Sequence, residues 1–404
     1  MLEIAYFTKR LPNLMTIPSR YQTAIGSLST TLSKGATIDR PTGGAMPRAT
    51  TPPRHTRGDV TMSYRPAVAA DTRYALPVPL LAAVDIGGTK IAGGLVDADG
   101  TLLHHVQLPT PARGSARELM GAVDHVLDLL ARHPMAASVR AVGIGSAGPV
   151  DIGAGTVSPV NIPAWRAFPL RAEVAAHPAF RDLPVVLGGD AVAMAAAEHW
   201  RGAARPYRNA LCLVVSTGVG AGLIIDGRLH TGPTGNAGHL GHISVDFAGR
   251  PCPCGSRGCL EGIASGTAIA RHATEAGWQP ADGETSATAV AAAARAGDPV
   301  ALHAFDRAAR ALAAGIAATA SLVEIEAAVI GGGVAKAGDV LFAPLRSHLA
   351  TYAALPFTAG TVIVPAQLGT DAGLVGAAAL ARPALALVPS PTSAHRPDRS
   401  RGPR

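Results

Sequence analysis

The chain reads as an α/β protein of two related halves around a shared cleft, and three observations predict it. Short β-branched or apolar runs alternate with longer Ala/Leu-rich stretches, as strands alternate with helices. Segment 84–97 (VDIGGTKIAGGLVD) is similar to 214–227 (VVSTGVGAGLIIDG): each is an apolar strand, a polar residue, a Gly-rich turn and a second strand. Lastly, 404 residues, 48% of them apolar, suffice for one large domain or two ordinary ones around a real core.

Taken in order, strands are predicted at 81–85 and 91–96, the arms of the first hairpin. A helix at 115–133 follows, then strands at 141–145 and 185–187 and an Ala-rich helix at 191–199. Strands at 210–216 and 222–225 form the second hairpin, and helices at 266–275, 287–296 and 299–322 come after it. Strands at 328–330 and 361–364 and a helix at 371–381 complete the pattern. The corresponding plan is an N-terminal α/β domain at 80–189, to which a helix at 371–386 returns, and a C-terminal α/β domain at 190–370.

The tails differ in composition from this body. Residues 1–79 are rich in Thr, Pro, Arg, Ser and Gly without a period of 2 or 3.6, and 387–404 are rich in Pro, Ser and Arg; both read as disordered. The first is either a tail or an over-extended start, since Met62 also precedes the first strand by an ordinary distance. The formal charge of +7 belongs to these tails, and the body between them is slightly acidic, so it lacks the electrostatic footprint of a nucleic-acid binder. A membrane-spanning helix needs about 20 apolar residues, and the longest uncharged helical stretch, 311–323, is too short. The N-terminus has no signal-peptide pattern. With three of four cysteines in one tight cluster, the expectation is a cytoplasmic protein that ligates metal in a reducing compartment.

The Gly-rich turns suit phosphates. In Asp85-Ile86-Gly87-Gly88-Thr89-Lys90 the glycines clear side chains from a phosphate's path. Backbone N–H groups, the Thr89 hydroxyl and the Lys90 ammonium can then donate to it, and Asp85 can hold a metal ion. The second turn, Ser216-Thr217-Gly218-Val219-Gly220, offers similar donors, and Gly331-Gly332-Gly333 after a strand suits a ribose or adenine. One such turn alone is as readily an ordinary tight turn. Neither GxGxxG nor GxxxxGK[ST] fits these places, so the scheme differs from the dinucleotide fold and the P-loop.

His242, Cys252, Cys254 and Cys259 form a GH followed by CxCGxxGC. Three thiolates and one imidazole are the donors of a closed tetrahedral zinc site, and four protein ligands leave no position for substrate, so the zinc is expected to be structural. Cys212, within an apolar strand, reads as a core residue. Asp190, between a strand and an Ala-rich helix, reads either as a helix N-cap or as a catalytic base.

In these motifs, residues 80–382 resemble the ROK family (repressor, open reading frame, kinase), glucokinase-like sugar kinases among them. The resemblance implies the actin-like ATPase (ribonuclease-H-like) duplicated fold, with two domains around a cleft. It implies ATP and magnesium as cofactors with a structural zinc, a homo-oligomer (dimer or tetramer), and phosphorylation of a hexose or N-acetylhexosamine at the 6-hydroxyl. Asp85, Gly87, Gly88, Thr89 and Lys90 match the first phosphate loop, and Thr217, Gly218 and Gly220 the second; Gly331, Gly332 and Gly333 match the adenosine segment. Asp190 matches the catalytic aspartate, and Asn161, His242 and Glu261 match sugar ligands.

Two positions depart from the family pattern: Gly189 replaces the asparagine of Asn-Asp, and His239 replaces the glutamate of ExGH. His239 can still hydrogen-bond a hydroxyl, though not as a permanent anion, so the two departures bear on which sugar is taken. The alternatives are a sugar-responsive regulator and a sugar-binding protein without kinase activity. Against the regulator, residues 1–79 lack the periodicity of a winged helix-turn-helix, and Pro41, Pro47, Pro52 and Pro53 fall where a recognition helix would sit.

Overall fold

The computed structural model describes residues 78–280 and 283–387. The tails predicted to be disordered lie outside the described residues, except for 78, 79 and 387 at their edges. The first half runs β1 (Leu80–Ile86), β2 (Lys90–Asp97), β3 (Leu102–Pro109), α1 (Ala116–Ala131), β4 (Val139–Ser146), a small ribbon β5 (Val150–Asp151) and β6 (Thr156–Val157), α2 (Leu170–Ala175) and β7 (Val185–Gly189). Then come α3 (Asp190–Arg201), β8 (Ala210–Val215), β9 (Val219–Ile225), β10 (Arg228–His230), α4 (Glu261–Ala264), α5 (Gly266–Glu275), α6 (Ala287–Arg295) and α7 (Pro299–Val323). The rest is β11 (Ala327–Gly331), α8 (Asp339–Tyr352), β12 (Val362–Pro365) and α9 (Ala372–Ala381).

Two five-stranded sheets result, ordered β3-β2-β1-β4-β7 and β10-β9-β8-β11-β12. They follow the same plan. In each, the hairpin pairs antiparallel and the two later strands add in parallel beside its first arm. The duplication seen in the two hairpins thus extends to whole sheets. Parallel central strands must be covered on both faces, which is why β1 and β11 are almost uninterrupted apolar runs.

Local chemistry sets the helix ends. Ser115 and Glu118 form a capping box at the start of α1. Asp298 caps α7 with Pro299 in the first turn, and α7 ends at Glu324 in the left-handed region. Helix α9 is apolar all round because it is enclosed: Leu374, Ala377, Ala378 and Ala381 pack on Leu81, Ala83 and Ala141 of the first sheet, while Ala372 and Val375 join Met194 and Ala195 of α3. Helix α3 in turn packs on Cys212, Ile224 and Val329 of the second sheet. Cys212 is fully buried, as expected of a core residue. The two small-residue helices therefore lie between the sheets, and a Cβ at Gly376 would overlap the Ala193 backbone at their crossing.

Among the observed elements, β3, β5, β6, β10, α2, α4 and α8 were not anticipated. Pro344 interrupts the helical pattern of α8, and the neighbouring His104 and His105 obscure the alternation of β3. Among the described residues no helix is long and apolar enough to cross a membrane.

Candidate active site

Asp85 lies near the carboxyl end of β1, and Asp190 opens α3 directly after β7, with β4 between the two strands. Burial and repulsion from Asp190, only partly offset by Lys90, raise the Asp85 pKa from 3.8 to about 6. The Asp85 carboxylate packs so closely on α9 that a Cβ at Gly373 would overlap it. The Asp190 pKa is also raised, chiefly by burial, although its Oδ1 accepts from the Ala191 N–H at 2.7 Å. Asp190 nonetheless remains exposed to solvent. The N-cap reading of Asp190 fails: Gly189 occupies the cap position, and no side chain caps the helix.

The first Gly-rich turn is a closed hairpin. Gly87 N–H donates to the Lys90 carbonyl at 3.0 Å, and the Thr110 hydroxyl donates to the Gly87 carbonyl at 2.7 Å. Thr89 at its tip is exposed. Asn161 lies against this turn, since a Cβ at Gly88 would overlap its amide. The Asn161 loop is anchored by fully buried Ile162 and Trp165, the latter stacked on Phe168 at 4.6 Å.

The second turn is braced from two sides. Ser216 N–H donates to the Gly218 carbonyl at 2.9 Å, and the Ser216 carbonyl accepts from Gly266 N–H at 2.7 Å at the start of α5. Glu261 Oε2 accepts from Val219 N–H at 2.9 Å and presses on Gly218, so this predicted sugar ligand also supports the turn. Gly220 meets Ala191, the residue after Asp190. In the third segment, Gly332 has φ +91° and lies on the Val215 carbonyl, a place no Cβ fits.

Between the second turn and the third segment is a cavity of about 360 Å³, lined by Ser216, Thr217 and Gly333 and closed by residues that were not anticipated: Thr267, Thr285, Ser286, Thr288, Arg295 and Lys336. Ser286 caps α6 by accepting from Ala289 N–H, and Arg295 donates to the Lys336 carbonyl at 2.9 Å. The available signal was the polar run Thr285-Ser286 ahead of an Ala-rich helix, which reads as a cap and carries no motif of its own.

His242, Cys252, Cys254 and Cys259 converge, their ligand atoms all within 4.8 Å of one another. Burial and the neighbouring thiols push the Cys259 thiol up to about 12. Positive-φ glycines 255 and 258 turn the loop, with Gly258 packed on the Asp246 carbonyl. His239 stacks on His242 with ring centroids 5.1 Å apart, and burial followed by His242 lowers the His239 pKa, keeping the ring neutral. Glu261 begins α4 two residues after Cys259, so the cluster sets the positions of Glu261, His239 and the second turn together. Asn236 was not anticipated either: its amide exchanges hydrogen bonds with both backbone groups of Val150, tying this loop to the first half.

Duplicated sheets of this order, with Gly-rich hairpin turns and strand-end carboxylates facing a cleft, define the actin-like ATPase fold. The chain belongs to the ROK family, whose profile matches residues 81–384. A glucokinase from Streptomyces coelicolor is 37% identical over 313 residues, 74% of this chain and 96% of that protein. An N-acetylmannosamine kinase from Escherichia fergusonii is 36% identical over 300 residues, 74% of this chain and 97% of that protein. The crystal structure of a ROK family glucokinase from Streptomyces griseus in complex with glucose and AMPPNP is 38% identical, with a TM-score of 0.66 over 75% of this chain and 99% of that one.

Proposed function

We propose that the protein transfers the terminal phosphoryl group of ATP to the 6-hydroxyl of a hexose or N-acetylhexosamine. The observation that carries this reading is Asp190: a solvent-accessible carboxylate with a raised pKa, in electrostatic contact with Asp85; its hydrogen-bond donors among the described residues are backbone N–H groups at the start of its own helix. Kinship with a glucokinase and an N-acetylmannosamine kinase supports the same reaction class.

In this reading the adenosine occupies the 360 Å³ cavity, and the phosphates run toward the cleft along the second turn, with Lys90 and the first turn opposite. Asn161, His239, His242 and Glu261 orient the sugar, and Asp190 accepts the proton of its 6-hydroxyl as that oxygen forms its bond to phosphorus. The bond from phosphorus to the bridging oxygen breaks, and ADP leaves with the electron pair. The repulsive Asp85–Asp190 pair fits a divalent cation, which Asp85 would hold directly or through water. Magnesium there would neutralise charge on the phosphates. The donor set of His242, Cys252, Cys254 and Cys259 fits zinc, which would brace the loop without touching the reacting atoms.

The test is coupled ADP release with glucose, mannose, glucosamine, N-acetylglucosamine and N-acetylmannosamine. Sugar-dependent release in the wild type, reduced about 10²–10⁴-fold in Asp190→Asn, is expected. Sugar binding without turnover would instead identify a sugar-binding protein without kinase activity.

A further inference from the structure

A second cavity, of about 730 Å³, lies away from the Gly-rich turns, and its lining shares no residue with the nucleotide cavity, the carboxylate pair or the metal cluster. Its walls come from both halves: Val186 and Leu187 of β7, Val192 and Ala196 of α3, Leu229 of β10 and Leu380 of α9. Its charged side chains, Arg228 and Arg382, are of one sign. His199, Arg228 and Arg382 line it together with Thr231, and no aspartate or glutamate does. The Arg382 guanidinium is held 5.1 Å above the Trp200 ring, so one cation is already positioned at the cavity. The charge of Arg382 is felt locally, since after burial it is the next cause lowering the His199 pKa.

A cavity with apolar walls and unbalanced positive charge selects its occupant on two counts. Sugar phosphates would set several hydroxyls against walls that cannot pair with them. The chain's own C-terminal segment carries Arg396, Arg399, Arg401 and Arg404 against Asp398, the same sign as the cavity. What fits is an apolar body with one anionic group.

We propose that this cavity is a binding site for a small amphipathic organic acid, its apolar body between α3, α9 and β7 and its anionic group on Arg382 and Arg228. Such a ligand bridges the two halves and lies on the helix that begins with Asp190, along the face formed by Val192, Ala196 and His199. The adjoining face of that helix carries Ala191 and Ala195, which contact Gly220 and Gly222 of β9.

The test uses the full-length protein, saturated with AMPPNP, and the fluorescent arylsulfonate 1-anilinonaphthalene-8-sulfonate. One dye per chain is expected to bind. Its Kd should rise about ten-fold or more in the double variant Arg228→Gln, Arg382→Gln, the scale of a lost charge-assisted hydrogen bond. A similar loss is expected in Ala196→Phe, which fills the cavity. The uncharged analogue N-phenyl-1-naphthylamine should bind wild type and the double-Gln variant equally. Both arginines are exposed, so the double variant decides the matter even where Ala196→Phe fails to fold, as judged by circular dichroism. Dye affinity unchanged in the double variant, absence of dye binding, or several weakly bound dyes per chain would each overturn the proposal.

Discussion

Asp85 shows how one residue is tuned against the stability of its own fold. With a pKa of about 6 in the folded state against 3.8 in water, it binds its proton more tightly folded than unfolded. Its contribution to stability is therefore greatest at low pH and is lost as pH rises from about 4 through about 6. Asp85→Asn is expected to stabilise the ligand-free protein at pH 7 by on the order of 1–3 kcal/mol, with no gain at pH 4, as read by thermal melts of variant and wild type across that range. Activity runs the other way: kcat/KM should rise with pH between about 5 and 7 as Asp85 ionises, and Asp85→Asn should lower its plateau. Gly189 is another residue whose form the fold does not dictate. Its φ and ψ are ordinary, and an added Cβ would meet only Val192 at 3.8 Å. Gly189→Asn should melt within about 1 °C of wild type, the shift of a surface change, while altering the ratios of kcat/KM across the sugar panel. Unchanged ratios would remove this position from selectivity.

At the level of elements, the metal loop and α6 each place part of the site from a distance. Cys254 is exposed, so Cys254→Ser removes a donor without opening the core. It should bring bound zinc, measured by metal analysis, from near one per chain toward zero. It should also raise the sugar KM, because Glu261, which accepts from the Val219 N–H, closely follows Cys259 in the chain. Ser286 holds the first turn of α6 at the nucleotide cavity. Ser286→Ala should cost about 1 kcal/mol of stability by chemical denaturation and raise the ATP KM more than the sugar KM. Two equally raised KM values would argue that α6 has no special relation to the nucleotide.

For the molecule as a whole, the decisive packing is α3 against α9, and Glu198 fastens it. This fully buried carboxylate accepts from the N–H groups of Ala203, Gln367 and Leu368, linking α3 to the segment that leads into α9. Glu198→Ala leaves three partly buried backbone donors without their acceptor and should cost about 1–3 kcal/mol, seen as a fall in denaturation midpoint. Asn236 makes the other cross-connection, to Val150.

Hairpin duplication, helices α1, α3, α5, α6, α7 and α9, the cysteine cluster and the strand-end aspartates were all legible along the chain, because period, glycine placement and ligand spacing are local properties. Helix α8 was hidden by Pro344, and β3 by its histidine pair. Glu198 and Asn236 belong to no motif in the sequence, and Thr285-Ser286 reads only as a cap. The partners of Glu198 and Asn236 lie 169 and 86 residues away, and a linear pattern records no such distance. Asp190 joins both kinds of information. Its place between strand and helix is local, but its raised pKa and its pairing with Asp85 exist only once β4 separates β1 from β7 and α3 and α9 exclude water around them.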